Sequence, residues 1–561
     1  MASPKLTISP NEQSSLLSYQ STQNLQAENL TKRTSSSSEH VQPDLNTVDN
    51  QISVPNQSQR AQTPLPIKQL SILCLMRLTE PISFTVIFPF INQLIEELNV
   101  GKDRTQVGSY AGLIESLFAM SQLCTVLFWG SLSDKIGRKP VLISGLMGLA
   151  IGIISFGLQR TFIGLVITRS FAGGMNGNIA AIKSALAEIT DDTNKAFAFA
   201  LVPLTYALGL TIGPAIGGYA SQPAKQYPNS IFAQYSFFQI YPYFLPCFLS
   251  GMFNLMAVCL GAFYLEETLP SKKRGALKQK NISQVGASES GATSSENETL
   301  KIVPPWRDFL VKPIVIRLTS YGLVAFENAA WLAIVPVFCY TRIEDGGLGL
   351  NLNQIGTILS SNGIVALFIQ LLIFPPLQKK MGTVRLFRLV KPPVLFSFMS
   401  LPLIQLFTKK AYNESGPYTQ IAMISMILIL GIKSISNMGV ACATILINDA
   451  APNRASLGTI NGLGQSFASL SRSIAPFLIG KLFSMSLAKE SHGFFQKNFV
   501  WLFSFLISTL GVGITWALET EKSSKSLANQ RSQNCEESNQ FSNHDDEVQQ
   551  ALNKTKSYGT I

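Results

Sequence analysis

The chain alternates between long apolar blocks and polar ones. Residues 1–65 are rich in Ser, Gln, Asn and Thr and show no apolar period, so they are expected to form a disordered cytoplasmic tail. No apolar core follows a basic start there, so no cleavable signal peptide is expected. From about Pro66 the pattern flips. Apolar stretches near the ~20 residues that cross a bilayer run at about 67–94, 107–129, 140–159, 162–185, 196–219 and 243–265. A polar stretch at 269–311 interrupts them. Six more follow at about 314–340, 353–376, 386–407, 419–446, 456–485 and 498–518, and residues 520–561 are polar again. The expected organisation is all-α: a six-helix bundle over 66–268, a cytoplasmic central loop over 269–311, a second six-helix bundle over 312–519, and a disordered cytoplasmic tail.

The two halves read as copies. Glu80 and Pro89 lie nine apart in the first span, as do Glu327 and Pro336 in the seventh, each pair offset by 247 residues. Gln106-Val107-Gly108 opens the second span and Gln354-Ile355-Gly356 the eighth, while Gly213-Pro214 in the fifth answers Ala475-Pro476 in the eleventh. Internal repeats with a site between them are how many secondary transporters are built.

Composition sharpens this. Of 561 residues, 46% are hydrophobic and 14% charged, with a mean hydropathy of +0.23. Soluble domains carry roughly 25% charged residues, so a set of soluble domains is excluded. The net charge of +11 is spread between apolar runs, which argues for loops obeying the positive-inside rule rather than for nucleic acid. Basic residues in the short loops tie between the two sides. The central loop, with Lys272, Lys273, Arg274, Lys278 and Lys280, breaks the tie together with the cluster Asp134–Lys139, placing both termini in the cytoplasm. The 7 cysteines show no paired spacing, so neither a disulfide framework nor a thiolate metal site is expected.

The densest motif is Gly130-Ser-Leu-Ser-Asp134-Lys-Ile-Gly137-Arg138-Lys139-Pro140, between the second and third spans. Gly130 and Gly137 permit close approach and a tight turn, and Asp134 can accept from helix N-termini or pair with Arg138 as an ionic latch. In the fifth span, Gly209, Gly213 and Gly217 fall on one helix face beside Pro214 and Gly218, a spacing that admits a close neighbouring helix. The first of these resembles the signature of the major facilitator superfamily, and the second resembles that superfamily's antiporter motif, G-x-x-x-G-P-x-x-G-G. The runs Arg77–Phe90, Leu457–Ser466 and Leu265-Glu266-Glu267-Thr268-Leu269-Pro270 resemble a fungal branch of its twelve-helix drug:proton antiporter group, to which plant zinc-induced-facilitator-like carriers are related. The resemblance covers about 66–519. It implies the major facilitator fold, with 12 transmembrane helices in two pseudo-symmetric bundles, alternating access and proton-driven export.

Charges within the spans are the candidates for transport and proton coupling: Glu80, Glu115, Arg169, Glu327, Lys433 and Arg472, with Lys183 beside them. Such groups are costly in lipid and face a bundle interior or a water-filled cavity. Arg169 and Gly173 resemble the family's R-x-x-x-G motif, linked to proton transfer. Arg77 lies one turn before Glu80, which argues for a structural pair there. Glu327 has Leu323, Val324, Ala330 and Trp331 at three and four positions, none basic, and is therefore favoured as the titrating group.

All three histidines (His40, His492, His544) lie outside the spans, so no metal site is expected in the membrane. No nucleotide-binding, zincin or C-x-x-C motif is present. The chain is therefore expected to be no enzyme and to use no cofactor beyond protons as coupling ion. It would carry a small organic solute across a lipid bilayer as a monomer, with an uncoupled facilitator, or a receptor or scaffold that moves nothing, as the alternatives. Glu12-Gln-Ser-Ser-Leu16-Leu17 matches the acidic dileucine pattern that a sorting adaptor grips, which favours the vacuolar membrane over the plasma membrane or Golgi.

Overall fold

The structure is a computed structural model that describes residues 64–101, 103–191, 194–269, 311–450, 457–488 and 493–518. Both tails, nearly all of the central loop, the three histidines and the sorting residues Glu12, Leu16 and Leu17 lie outside the described residues. Each apolar block is helical. Among the described residues, 9 helices are long and apolar enough to cross a membrane, from Arg104–Ile136 to Gln496–Ala517. This fits the physics of lipid, where a chain must satisfy its own backbone groups within one segment.

The other three blocks are helical but carry polar residues or breaks. The first is Ile67–Thr85 followed by Ile91–Glu97, interrupted at Val86–Phe90, where Pro89 cannot donate to the helix ladder. The fourth is Phe162–Met175 followed by Asn178–Ile189, broken at Asn176-Gly177. Its freed carbonyls do not go begging: Trp129 Nε1 donates to Gly174 O at 2.7 Å and Gln122 Nε2 to Asn176 O at 3.0 Å, both from the second span. The eleventh, Leu457–Leu487, is one helix with Asn461, Gln465, Ser469 and Arg472 along a single face. A smaller break sits in the ninth span, where Lys391-Pro392 separates Thr383–Val390 from Pro393–Asn413.

Small residues set how the helices meet. A Cβ at Gly209 would lie 2.4 Å from Pro81 Cγ, one at Gly213 2.1 Å from Thr85 Oγ1, and one at Gly217 2.0 Å from Val86 O. The glycine stripe of the fifth span (Lys195–Ala220) therefore seats the first span at its break. Gly218, one residue on, turns to the other half and packs on Gly356 of the eighth span (Leu352–Phe368).

Candidate functional site

The halves meet along two helix pairs, the second span (Val107–Ile136) with the eleventh and the fifth with the eighth. Contact is tight at one end only. A Cβ on Gly112 would fall 2.2 Å from Pro476 O, and one on Gly480 would fall 2.3 Å from Gly108 O. Ser109 N donates to Ser484 Oγ at 3.0 Å, Phe477 N to Ser116 Oγ at 2.8 Å, and Tyr340 OH to Glu96 Oε2 at 2.5 Å. Tyr219 OH and Thr357 Oγ1 share a hydrogen bond of 2.8 Å on the other pair. Toward the opposite ends of the second and eleventh spans, Gly130 and Gly462 have nothing from a neighbouring helix within 4 Å of a built Cβ. Gly112 and Gly130 are about 27 Å apart along the helix at ~1.5 Å per residue. The paired helices thus touch at one end of the bundle and part at the end that carries the Gly130–Pro140 loop.

That loop holds a network wider than a two-residue latch. Gly137 adopts φ 110°, which allows the second span to turn straight into the third (Arg138–Gly157). Arg138 Nη1 donates to Asp134 Oδ1 at 2.5 Å and to Ser133 Oγ at 2.9 Å, and its Nη2 to Glu188 Oε1 at 2.9 Å. The Arg138 side chain is 10% exposed and that of Asp134 68%, so the guanidinium anchors the network while Asp134 faces the open end. Of the two roles the motif allows it, Asp134 takes the pair with Arg138 rather than acceptance from a helix N-terminus. Glu267 does this instead, taking Arg138 N at 2.8 Å and Lys139 N at 3.2 Å. Thr268 Oγ1 donates to Glu188 Oε2 at 2.5 Å. The sequence marks Glu267 only as part of the Leu265–Pro270 run and Glu188 not at all, because their roles arise from packing of the fourth span and the post-sixth-span segment onto the loop.

The intramembrane charges fall into separate groups. Glu80 accepts from Arg77 Nη1 at 2.6 Å and from Asn176 Nδ2 at 3.0 Å, so both its oxygens are engaged, the second by the break in the fourth span. Arg169 is 1% exposed; its guanidinium lies 4.2 Å from the Phe118 ring centroid and 5.4 Å from that of Phe84, and it donates to Phe84 O at 3.2 Å. Glu115, buried one turn before Phe118, lies within electrostatic reach of it. In the second half, Lys433 Nζ donates to Asn328 Oδ1 at 2.7 Å and Asn437 Oδ1 at 2.6 Å.

Glu327 requires a correction. Its own helix (Lys312–Tyr340) places no basic residue within one turn of it. Lys391, 64 residues away, pairs with Glu327 Oε2, and both side chains are nearly fully buried. Glu327 thus has a cationic partner just as Glu80 does. Its Oε1 is buried without a hydrogen bond among the described residues, pressed against Gly511, where a Cβ would sit 2.3 Å away. A lysine inside an apolar run and immediately before Pro392-Pro393 was the signal available for Lys391.

Known proteins with this arrangement can now be set beside it. The sequence model described as Major Facilitator Superfamily matches residues 73–476. The chain belongs to the major facilitator superfamily. The Major facilitator superfamily multidrug transporter mfsB of Aspergillus fumigatus is 32% identical over 489 residues, covering 75% of this chain and 79% of that protein. Protein ZINC INDUCED FACILITATOR 1 of Arabidopsis thaliana is 27% identical over 461 residues, 80% of this chain and 91% of that one. Both agree with the resemblance carried by the motifs. In fold, a D-xylose-proton symporter superposes with a TM-score of 0.59 at 13% identity, covering 81% of this chain and 98% of that one. This superfamily member is a secondary transporter, not an enzyme, and an integral multi-pass membrane protein.

Proposed function

We propose that this carrier exports a small organic solute from the cytoplasm by proton antiport, acting as a monomer without a bound cofactor, with Glu327 as the proton-carrying group. The observation that supports this reading most is the Glu327–Lys391 pair, buried and left with one oxygen unpartnered among the described residues. A proton arriving on that oxygen would remove the attraction to Lys391 and free the ninth span relative to the seventh. Glu80, whose oxygens are both held, suits a structural role better. With both termini in the cytoplasm, the open end of the bundle faces the cytoplasm, the state that loads an exporter. A relative from Aspergillus niger named Efflux pump azaK favours export, and the Glu12–Leu17 motif favours the vacuolar membrane, reached through a sorting adaptor.

The test uses reconstituted carrier bearing Glu327→Gln together with Lys391→Gln, so that no buried charge is left alone. Loss of pH-gradient-driven flux with survival of exchange at equal pH is the expected result. Gradient-driven flux that persists in this double variant and disappears in Glu80→Gln would transfer the role to the first half. Flux indifferent to the gradient in the unmodified carrier would make it an uncoupled facilitator.

A further inference from the structure

Two intramembrane cations, neither ion-paired among the described residues, stand on opposite sides of the gap between the halves. Lys183 lies on the fourth span and Arg472 on the eleventh. They are close enough to interact electrostatically, with Arg77 also in range of Lys183. Lys183 has no hydrogen bond or ion pair among the described residues. Arg472 donates to Ser469 Oγ at 3.0 Å, and its Nε is buried without a partner among the described residues. Tyr206 lies under the Arg77 guanidinium at 5.6 Å and within electrostatic reach of Arg472. Glu80, also within electrostatic reach of Tyr206, is already held by Arg77 and Asn176.

These cations contrast with the others in the spans. Lys433 has two amide acceptors, Arg169 has aromatic faces and a carbonyl, and Lys391 has Glu327. A cation without such partners is expensive at membrane depth unless it faces water or a ligand. Lys183 does face space: it lines a small open recess with Tyr321, Thr444, Asn461 and Gln465, at the parted end of the bundle. Asn461, Gln465, Ser469 and Arg472 follow at i, i+4, i+8 and i+11, so one face of the eleventh span leads from the pocket to the guanidinium. The recess is lined from both halves, which rock against each other in alternating access.

We propose that the transported solute carries an anionic group, a carboxylate or a phosphate, and that this group is held between Lys183 and Arg472 with Tyr206 beside it. The inference rests on the reading of the chain as a carrier with its site between the halves. Because the ligands come from opposite halves, the anion draws them together, which couples occupancy to closure of the open end.

Four probes sharing one ring system separate the possibilities: 2-naphthoate, 2-naphthyl phosphate, neutral 2-naphthalenemethanol and cationic 2-naphthylmethylammonium. Binding is read as the concentration-dependent rise in unfolding temperature of the purified full chain, which follows ligand affinity. At least one anion is expected to bind about tenfold more tightly than the cation, and which anion does so tells carboxylate from phosphate. Arg472→Gln and Lys183→Gln should each weaken that anion about tenfold or more, as expected for loss of a charged hydrogen bond. Arg472→Lys, which keeps the charge, should recover most of the loss and controls for folding. Equal or tighter binding of the cation or the neutral alcohol, binding of none of the four at millimolar concentration, or anion affinity unchanged in both glutamine variants would overturn the proposal. Counterflow of the same probes in proteoliposomes separates the two readings. An anion that binds but is not moved refutes carriage and leaves the site standing; a cation that is moved while no anion binds refutes the site alone.

Discussion

Gly112→Ala tests the closed end of the bundle directly. The added methyl would sit 2.2 Å from Pro476 O and 2.9 Å from Pro476 C, both backbone atoms of the facing helix. Ordinary carbon–oxygen contact needs about 1 Å more, and backbone in a packed helix cannot rotate aside as a side chain can. Overpacking of this kind costs roughly 1–3 kcal/mol. Only the state in which the second and eleventh spans touch bears that cost, so the substitution moves a conformational equilibrium rather than unfolding the protein. The closed-end population should fall relative to its alternative by about five- to 150-fold. Ser109 and Ser484, hydrogen-bonded across the same junction at 3.0 Å, mark the place to measure it. With native cysteines replaced, Ser109→Cys with Ser484→Cys should crosslink readily, and Gly112→Ala should slow that crosslinking at least fivefold. Gly513→Ala, where nothing lies within 4 Å of the new methyl, should leave the rate unchanged. If Gly112→Ala crosslinks at the parent rate and transports normally, the two helices are not held in the contact described, and the alternating-access reading of this junction fails.

Further outcomes test the remaining groups. Glu327→Gln alone should lower thermal stability by roughly 3–5 kcal/mol, because Lys391 is left buried and unpaired, while the double neutralisation with Lys391→Gln should recover most of it in a thermal melt. Asp134→Asn should reduce transport with folding and sorting largely intact, since that side chain is 68% exposed, whereas Arg138→Gln should also lower the melting temperature by stranding Glu188; equal melts for the two would remove Arg138 from the centre of the network. Replacing Leu16 and Leu17 by Ala should shift the carrier from the vacuolar membrane toward the cell surface under the microscope, and an unchanged distribution would make Glu12–Leu17 a chance match.

The parts legible in the sequence are those governed by local rules. Bilayer thickness demands about 20 apolar residues per crossing, so the helical blocks can be counted along the chain. The 3.6-residue period puts Gly209, Gly213 and Gly217 on one face, and a helix neighbour with its backbone close by follows from that. The constant offset of Glu80–Pro89 and Glu327–Pro336 exposes the repeat before any coordinates exist. What tertiary structure alone decided depends on how distant helices register. The partner of Glu327 is 64 residues away, and a search within one helical turn could not reach it. Glu267 finds the N-terminus of the third span across 129 residues, which leaves Asp134 with the other of its two expected roles, the pair with Arg138. Which end of the bundle is closed is likewise invisible in a linear pattern, because it is a property of two halves that can rock. Apolar content sets that the helices lie in lipid; the contacts between Gly112 and Pro476, and between Gly218 and Gly356, set how they stand within it. Lipid solvates every apolar face alike, so only the fit of particular surfaces, and the need of each buried charge for a partner, selects one arrangement among the many that the same twelve blocks allow.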